Sequence, residues 1–148
     1  FGKAVLDSLD QALSRIRQRY GNQEFELIGY SGGAALALLL AARRDDVALV
    51  QTLAGNLSPR QWARELQLTP LAGSLEPLDY RQQLRPVPQR HLLGLADRSV
   101  PASLYEHYRT ALGSAPCVEV VRLPGVTHAD GWAQAWAQWR DQPLGCAP

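Results

Sequence analysis

The sequence predicts an α/β fold: a mostly parallel sheet with helices on both of its faces. Three observations predict it. Segments with helical spacing alternate with short apolar segments along the whole chain, the pattern of strands joined by helical crossovers. A glycine-flanked serine, Gly29-Tyr30-Ser31-Gly32-Gly33, lies between one apolar strand and a helix rich in Ala and Leu. Asp97 and His128 each follow a later strand, so Ser31, Asp97 and His128 fall on one edge of the sheet. In parallel sheets ligands bind there, beyond the carboxyl ends of the strands.

The elements follow in order. Residues 3–20 carry Val5, Leu6, Leu9, Leu13 and Ile16 at helical spacing, which predicts a helix with one buried face. Gly21-Asn22 ends it, because both residues tolerate the left-handed conformation of a C-cap. Phe25, Leu27 and Ile28 mark the first strand, and the helix that follows starts near Gly33 and ends at Arg43 and Arg44, which suit the negative end of its dipole. Residues 47–53 form a second strand. Residues 56–88 hold five prolines and Trp62, with short helices expected at 60–66 and near 78–84. A segment this long between strands is read as a lid or cap-like insertion, or as a surface excursion with a small core of its own. Residues 89–95 form a third strand, 102–112 a helix, and 118–123 a fourth strand. Trp132, Trp136 and Trp139 then share one face of a last helix and are read as core.

With 148 residues the chain is long enough for one domain with a sizeable core. A hydrophobic content of 46% with 20% charged residues is that of an ordinary globular protein, not a disordered one. A net charge of +1, with no basic run longer than two residues, argues against nucleic acid as a partner. The longest apolar run, residues 34–42, is half of what a membrane span needs, and no signal peptide is visible. Cys117 and Cys146 lack metal-ligand spacing and form either a disulfide or two free thiols. The chain starts at Phe1 and contains no Met, which predicts a piece of something longer.

Chemistry concentrates at Ser31. A strand-to-helix turn this sharp strains its central residue, and side-chain-free neighbours such as Gly29 and Gly33 avoid collision there. The motif G-x-S-x-G arises by chance in about one chain in twenty of this length, so its strand-before, helix-after setting carries the weight. A serine hydroxyl needs a base within hydrogen-bond reach, and His128 is the candidate. An acid must hold the imidazole in the right tautomer, and Asp97 is the candidate, preferred over Asp79 and over Asp130, which reads as the N-cap of the tryptophan helix. His91 within a strand and His107 on a helix face read as structural. The amide of Gly32 is the expected oxyanion donor, and Tyr30 and Trp62 are candidates for the substrate pocket. Neither a metal nor an organic cofactor is needed for this chemistry.

Taken together, GYSGG around Ser31, GLADRSVP around Asp97 and LPGVTHAD around His128 resemble the α/β-hydrolase superfamily of serine hydrolases, from the helix before the nucleophile elbow to the last helix. The order Ser, Asp, His is that of the fold. GNLSPRQW and TPLAGSLEP are similar to segments of small bacterial hydrolase-like proteins, some of them envelope lipoproteins. The resemblance implies a single domain over residues 1–148 that lacks its N-terminal strands, including the loop with the second oxyanion donor. It also implies a serine esterase, lipase or thioesterase working through an acyl-enzyme on a small acyl substrate. An acyltransferase or peptidase with the same triad, or a catalytically silent binding module, are the alternatives. The first strand is central in that fold, so its bare edge is expected to be covered by the missing N-terminal segment or by a second copy of the chain.

Overall fold

The computed structural model describes residues 1–146. Its four strands, β1 (Phe25–Tyr30), β2 (Val47–Leu53), β3 (Gln89–Gly94) and β4 (Val118–Leu123), form one sheet in sequence order, every neighbouring pair parallel. Every residue of β3 is buried, as expected of an inner strand covered on both faces. Outer strand β1 is half open, with Ile28 54% exposed.

The helices are α1 (Lys3–Tyr20), α2 (Gly32–Arg43), α3 (Pro59–Glu65), α4 (Arg81–Leu84), α5 (Ser103–Leu112) and α6 (Trp132–Trp139). Strand residues point alternately to the two faces, and two cores result. On one face, Val50 and Leu93 meet Ala34, Leu38, Leu84, Tyr108 and Leu112 from α2, α4 and α5. On the other, Leu53, Leu92 and Val121 meet buried Trp132 of α6, with half-buried Trp136 and Trp139 packed against this cluster, so the tryptophan stripe faces the core. Helix α1 packs Leu6 and Leu13 on Leu39 and Leu40 of α2 and on Leu27 of β1. It ends at Gly21, whose φ of 69° is left-handed and whose amide donates to the carbonyl of Arg17. Ion pairs join α1 to the end of α2: Arg44 binds Asp46 and Asp10, and Arg17 also reaches Asp46. The Arg44 guanidinium thereby holds the Asp46 carboxyl below its usual range.

Residues 56–88 are tied into this frame. Leu57, Leu78 and Leu84 enter the core of the α2 face. Buried Glu76 accepts hydrogen bonds from the amides of Arg60 and Leu78, satisfying one helix start and the 3-10 turn Pro77–Tyr80. The single helix expected near 78–84 is therefore that 3-10 turn followed by α4, because Pro77 supplies the first-turn φ and Glu76 its cap.

At the amino ends of the strands, Arg90 is wholly buried. Its guanidinium donates to Glu119 (2.7 Å), to Gln51 (3.2 Å) and to the carbonyls of Trp139 (3.0 Å) and Pro143 (2.9 Å). Cys117 and Cys146 are joined in a disulfide that pins residues 140–146 across this end, settling the choice the sequence left open.

Candidate active site

Ser31 stands between β1 and α2 with φ 52° and ψ −123°, a conformation L-residues avoid and one that costs on the order of 1–3 kcal/mol. Neighbouring backbone holds it there. The Ser31 amide donates to the carbonyl of Leu53, and its own carbonyl accepts from the amides of Ala34 and Asn56. The glycines divide the labour unequally. A Cβ on Gly29 would sit 2.6 Å from the backbone of Ala34 and Gly33, so the close approach of strand and helix depends on Gly29. Gly33 has nothing within 4 Å of its would-be Cβ, which corrects the expectation that both glycines serve the approach: Gly33 faces the open groove between α1 and β1. Gly32 lies against the ring of Phe1, and its amide is among those a helix start leaves without an intrahelical partner.

The Ser31 side chain makes no capping hydrogen bond, so its hydroxyl is not drawn into α2. No hydrogen bond joins Ser31 Oγ to His128 among the described residues. His128 and Asp97 do meet: His128 Nδ1 lies 2.8 Å from Asp97 Oδ2. The Asp97 side chain is fully buried and the imidazole 26% exposed. Asp97 is held by its own turn, Oδ1 accepting from the amides of Ser99 and Val100 at 2.8 Å each. With a carboxylate on Nδ1, that nitrogen carries the proton and Nε2 is left as the basic atom.

Several residues that build this arrangement escaped sequence reading. Gly94 at the end of β3 has the carbonyl of Val126 2.6 Å from its would-be Cβ, and the Ala96 amide donates to that carbonyl. Backbone contact at Gly94 thus brings the His128 loop beside the Asp97 loop; the first glycine of GLADRSVP was the available signal. The Trp132 indole donates to the carbonyls of both Thr127 and His128. Asp130, expected as the cap of α6, does not cap it. It exchanges hydrogen bonds with Thr127 inside the loop. The cap is Gly131 at φ 95°, where a side chain would strike Val126.

Tyr30, expected in a pocket wall, packs its ring 5.3 Å from that of His128, and its hydroxyl donates to the His128 carbonyl. Trp62 on α3 donates its indole N–H to the carbonyl of Ser99, tying residues 56–88 to the Asp97 loop. Of the other histidines, His91 is wholly buried with Thr52 on Nδ1 and Gln89 on Nε2, and burial pushes its imidazole down to about 3, so it is neutral and structural. No cluster of side chains suited to a metal ion occurs among the described residues, and no helix there is long and apolar enough to cross a membrane.

No family model and no curated protein matches the sequence. Solved structures do match. An esterase of Pyrococcus furiosus shares 15% identity over 94% of this chain and 59% of its own, with a TM-score of 0.74. A monoacylglycerol lipase of Paleococcus ferrophilus shares 14% over 90% of this chain and 72% of its own, at 0.63. The acylaminoacyl peptidase of Pyrococcus horikoshii shares 13% over 84% of this chain and 23% of its own, at 0.67. The chain therefore has part of the α/β-hydrolase fold, and it spans less than two thirds of the length of the esterase.

Proposed function

We propose that this chain carries the nucleophile, acid and base of a serine hydrolase that cleaves a carboxylic ester or thioester. One observation carries the reading: a buried carboxylate grips the imidazole of His128 through Nδ1, on the same edge of the sheet as a serine in a strained strand-to-helix turn. Ser31 Oγ attacks the substrate carbonyl carbon while His128 Nε2 takes its proton, and Asp97 stabilises the imidazolium that forms. The tetrahedral oxyanion meets the Gly32 amide at the start of α2. Collapse breaks the carbon–heteroatom bond, and the leaving alkoxide or thiolate takes the proton from His128. Water, deprotonated by His128, then attacks the acyl-Ser31 ester and releases the acid.

Residues 56–88 form one wall of the substrate site through Trp62 and its link to the Asp97 loop. A peptidase or acyltransferase would use the same groups, and the amide of a peptide or an acceptor alcohol in place of water distinguishes them.

The test uses the complete protein. A fluorophosphonate probe is expected to label Ser31, with labelling abolished by Ser31→Ala and strongly slowed by His128→Ala. Hydrolysis of p-nitrophenyl acetate by the parent is expected to be lost in Ser31→Ala and strongly reduced in His128→Ala. Ser31→Ala protein that turns over the ester as fast as the parent would end this reading.

A further inference from the structure

We propose that Tyr30 is a positioning residue: it holds His128 in place relative to Ser31 and is not a wall of the substrate pocket. The proposal rests on the reading of His128 as the base. Tyr30 is the last residue of β1 and the covalent neighbour of Ser31, and its backbone is fixed by pairing with Leu53 of β2. Its hydroxyl donates to the main-chain carbonyl of His128, and its ring lies against the imidazole with centroids 5.3 Å apart and planes 33° from parallel. The same ring meets the edge of Trp132 at 6.4 Å.

What makes these contacts consequential is where the other holds on His128 come from. The Ala96 amide on Val126, the Gly94 approach and the Asp97 carboxylate all belong to β3 and the loop after it. The Trp132 indole belongs to α6. Strand β3 is two strands away from β1, about 10 Å at the usual spacing. Among the described hydrogen bonds, Tyr30's is the one that ties the His128 loop to the strand carrying the nucleophile. Without it, the distance between Oγ and Nε2 is set only through β2, β3 and two loops. Effective proton transfer needs that distance held to a fraction of an ångström. Tyrosine is well shaped for such a tie, because a rigid ring spans the gap with two torsions. The hydroxyl at its tip reaches a carbonyl already shared with an indole.

Two variants separate holding from lining. Tyr30→Phe keeps the ring and removes the hydroxyl; Tyr30→Leu removes both. With p-nitrophenyl acetate, Tyr30→Phe is expected to lower kcat about tenfold with KM within twofold, the loss of one hydrogen bond. Tyr30→Leu is expected to lower kcat about a hundredfold. In parallel, the imidazole nitrogen resonances of His128, identified by their loss in His128→Gln, are expected to shift or broaden in both variants, while those of His91 and His107 stay put. Unchanged kcat with a raised KM, or His128 resonances identical to the parent in Tyr30→Leu, would overturn the proposal. A parent protein that neither hydrolyses the ester nor takes the fluorophosphonate sinks the hydrolase reading and the catalytic half of this proposal together. The nuclear magnetic resonance arm still decides whether Tyr30 holds His128.

Discussion

The two ends of the sheet handle polar groups in opposite ways. At the amino end, Arg90 is buried and every nitrogen of its guanidinium has an oxygen partner, while a disulfide fastens the tail that follows Trp139 and contains Pro143. At the carboxyl end, Ser31 holds a positive φ, its hydroxyl caps nothing, and His128 keeps a quarter of its surface in solvent with Nε2 unclaimed. Burying polar groups and satisfying every one of them rigidifies that end and makes the groups inert. Leaving a strained, half-exposed set makes them available and costs stability.

This contrast can be attacked from either end. Ser31→Ala is expected to lower turnover by four or more orders of magnitude while shifting the melting temperature little, because the serine hydroxyl holds nothing together. A melting temperature that drops as far as activity does would give Ser31 a structural role. Arg90→Met is the converse. It leaves Gln51 and two carbonyls without the Arg90 donor, and Glu119, 30% exposed, with the Gly145 amide as a remaining partner. Each buried acceptor left unsatisfied costs about 1–3 kcal/mol. Urea unfolding reads that loss, and fluorophosphonate labelling of the still-folded variant is expected to persist. Loss of labelling in folded protein would mean that the two ends are energetically coupled.

Next in size is the disulfide. Cys117 and Cys146 close a loop with a sequence separation of 29, for which unfolded-chain entropy gives roughly 3–4 kcal/mol. Reduction, or the double Cys→Ser variant, is expected to lower the unfolding free energy read from urea titration by that amount. A urea midpoint that does not move would mean the tail is held by the Arg90 cluster alone.

The smallest effect belongs to His91. The unfolded chain protonates this imidazole near the ordinary 6.5, whereas burial keeps it neutral in the folded protein down to about 3. Between those values the unfolded state binds the extra proton. Its contribution to stability is therefore complete above about pH 6.5 and is lost as pH falls toward 3, at up to about 1.4 kcal/mol per unit. His91→Gln is expected to flatten the acid slope of stability measured between pH 7 and 4.5. Equal slopes in parent and variant would assign the acid sensitivity of this range to other groups; Asp46 and Glu119, both held below the usual carboxylate range, give up their stabilisation only at lower pH.

The order and type of the main elements, the parallel sheet and the edge on which Ser31, Asp97 and His128 fall were all legible along the chain. Each follows from local rules: helical spacing in residues 3–20, apolar runs bounded by turn residues, and a glycine at position 29 that a tight strand-to-helix approach requires. Folding in three dimensions was needed to settle which groups meet across long separations. The partnership of Asp97 with His128, the use of Gly94 to admit the carbonyl of Val126, the turn of Tyr30 toward the His128 carbonyl, and the disulfide between Cys117 and Cys146 each join different elements. So does the burial of Arg90, a residue that composition alone would place on the surface. Such pairings depend on the twist of the sheet and the lengths of its loops, which bring residues together in space without leaving a periodic mark along the chain. Periodicity records which face a residue takes, and packing alone records whom it meets there.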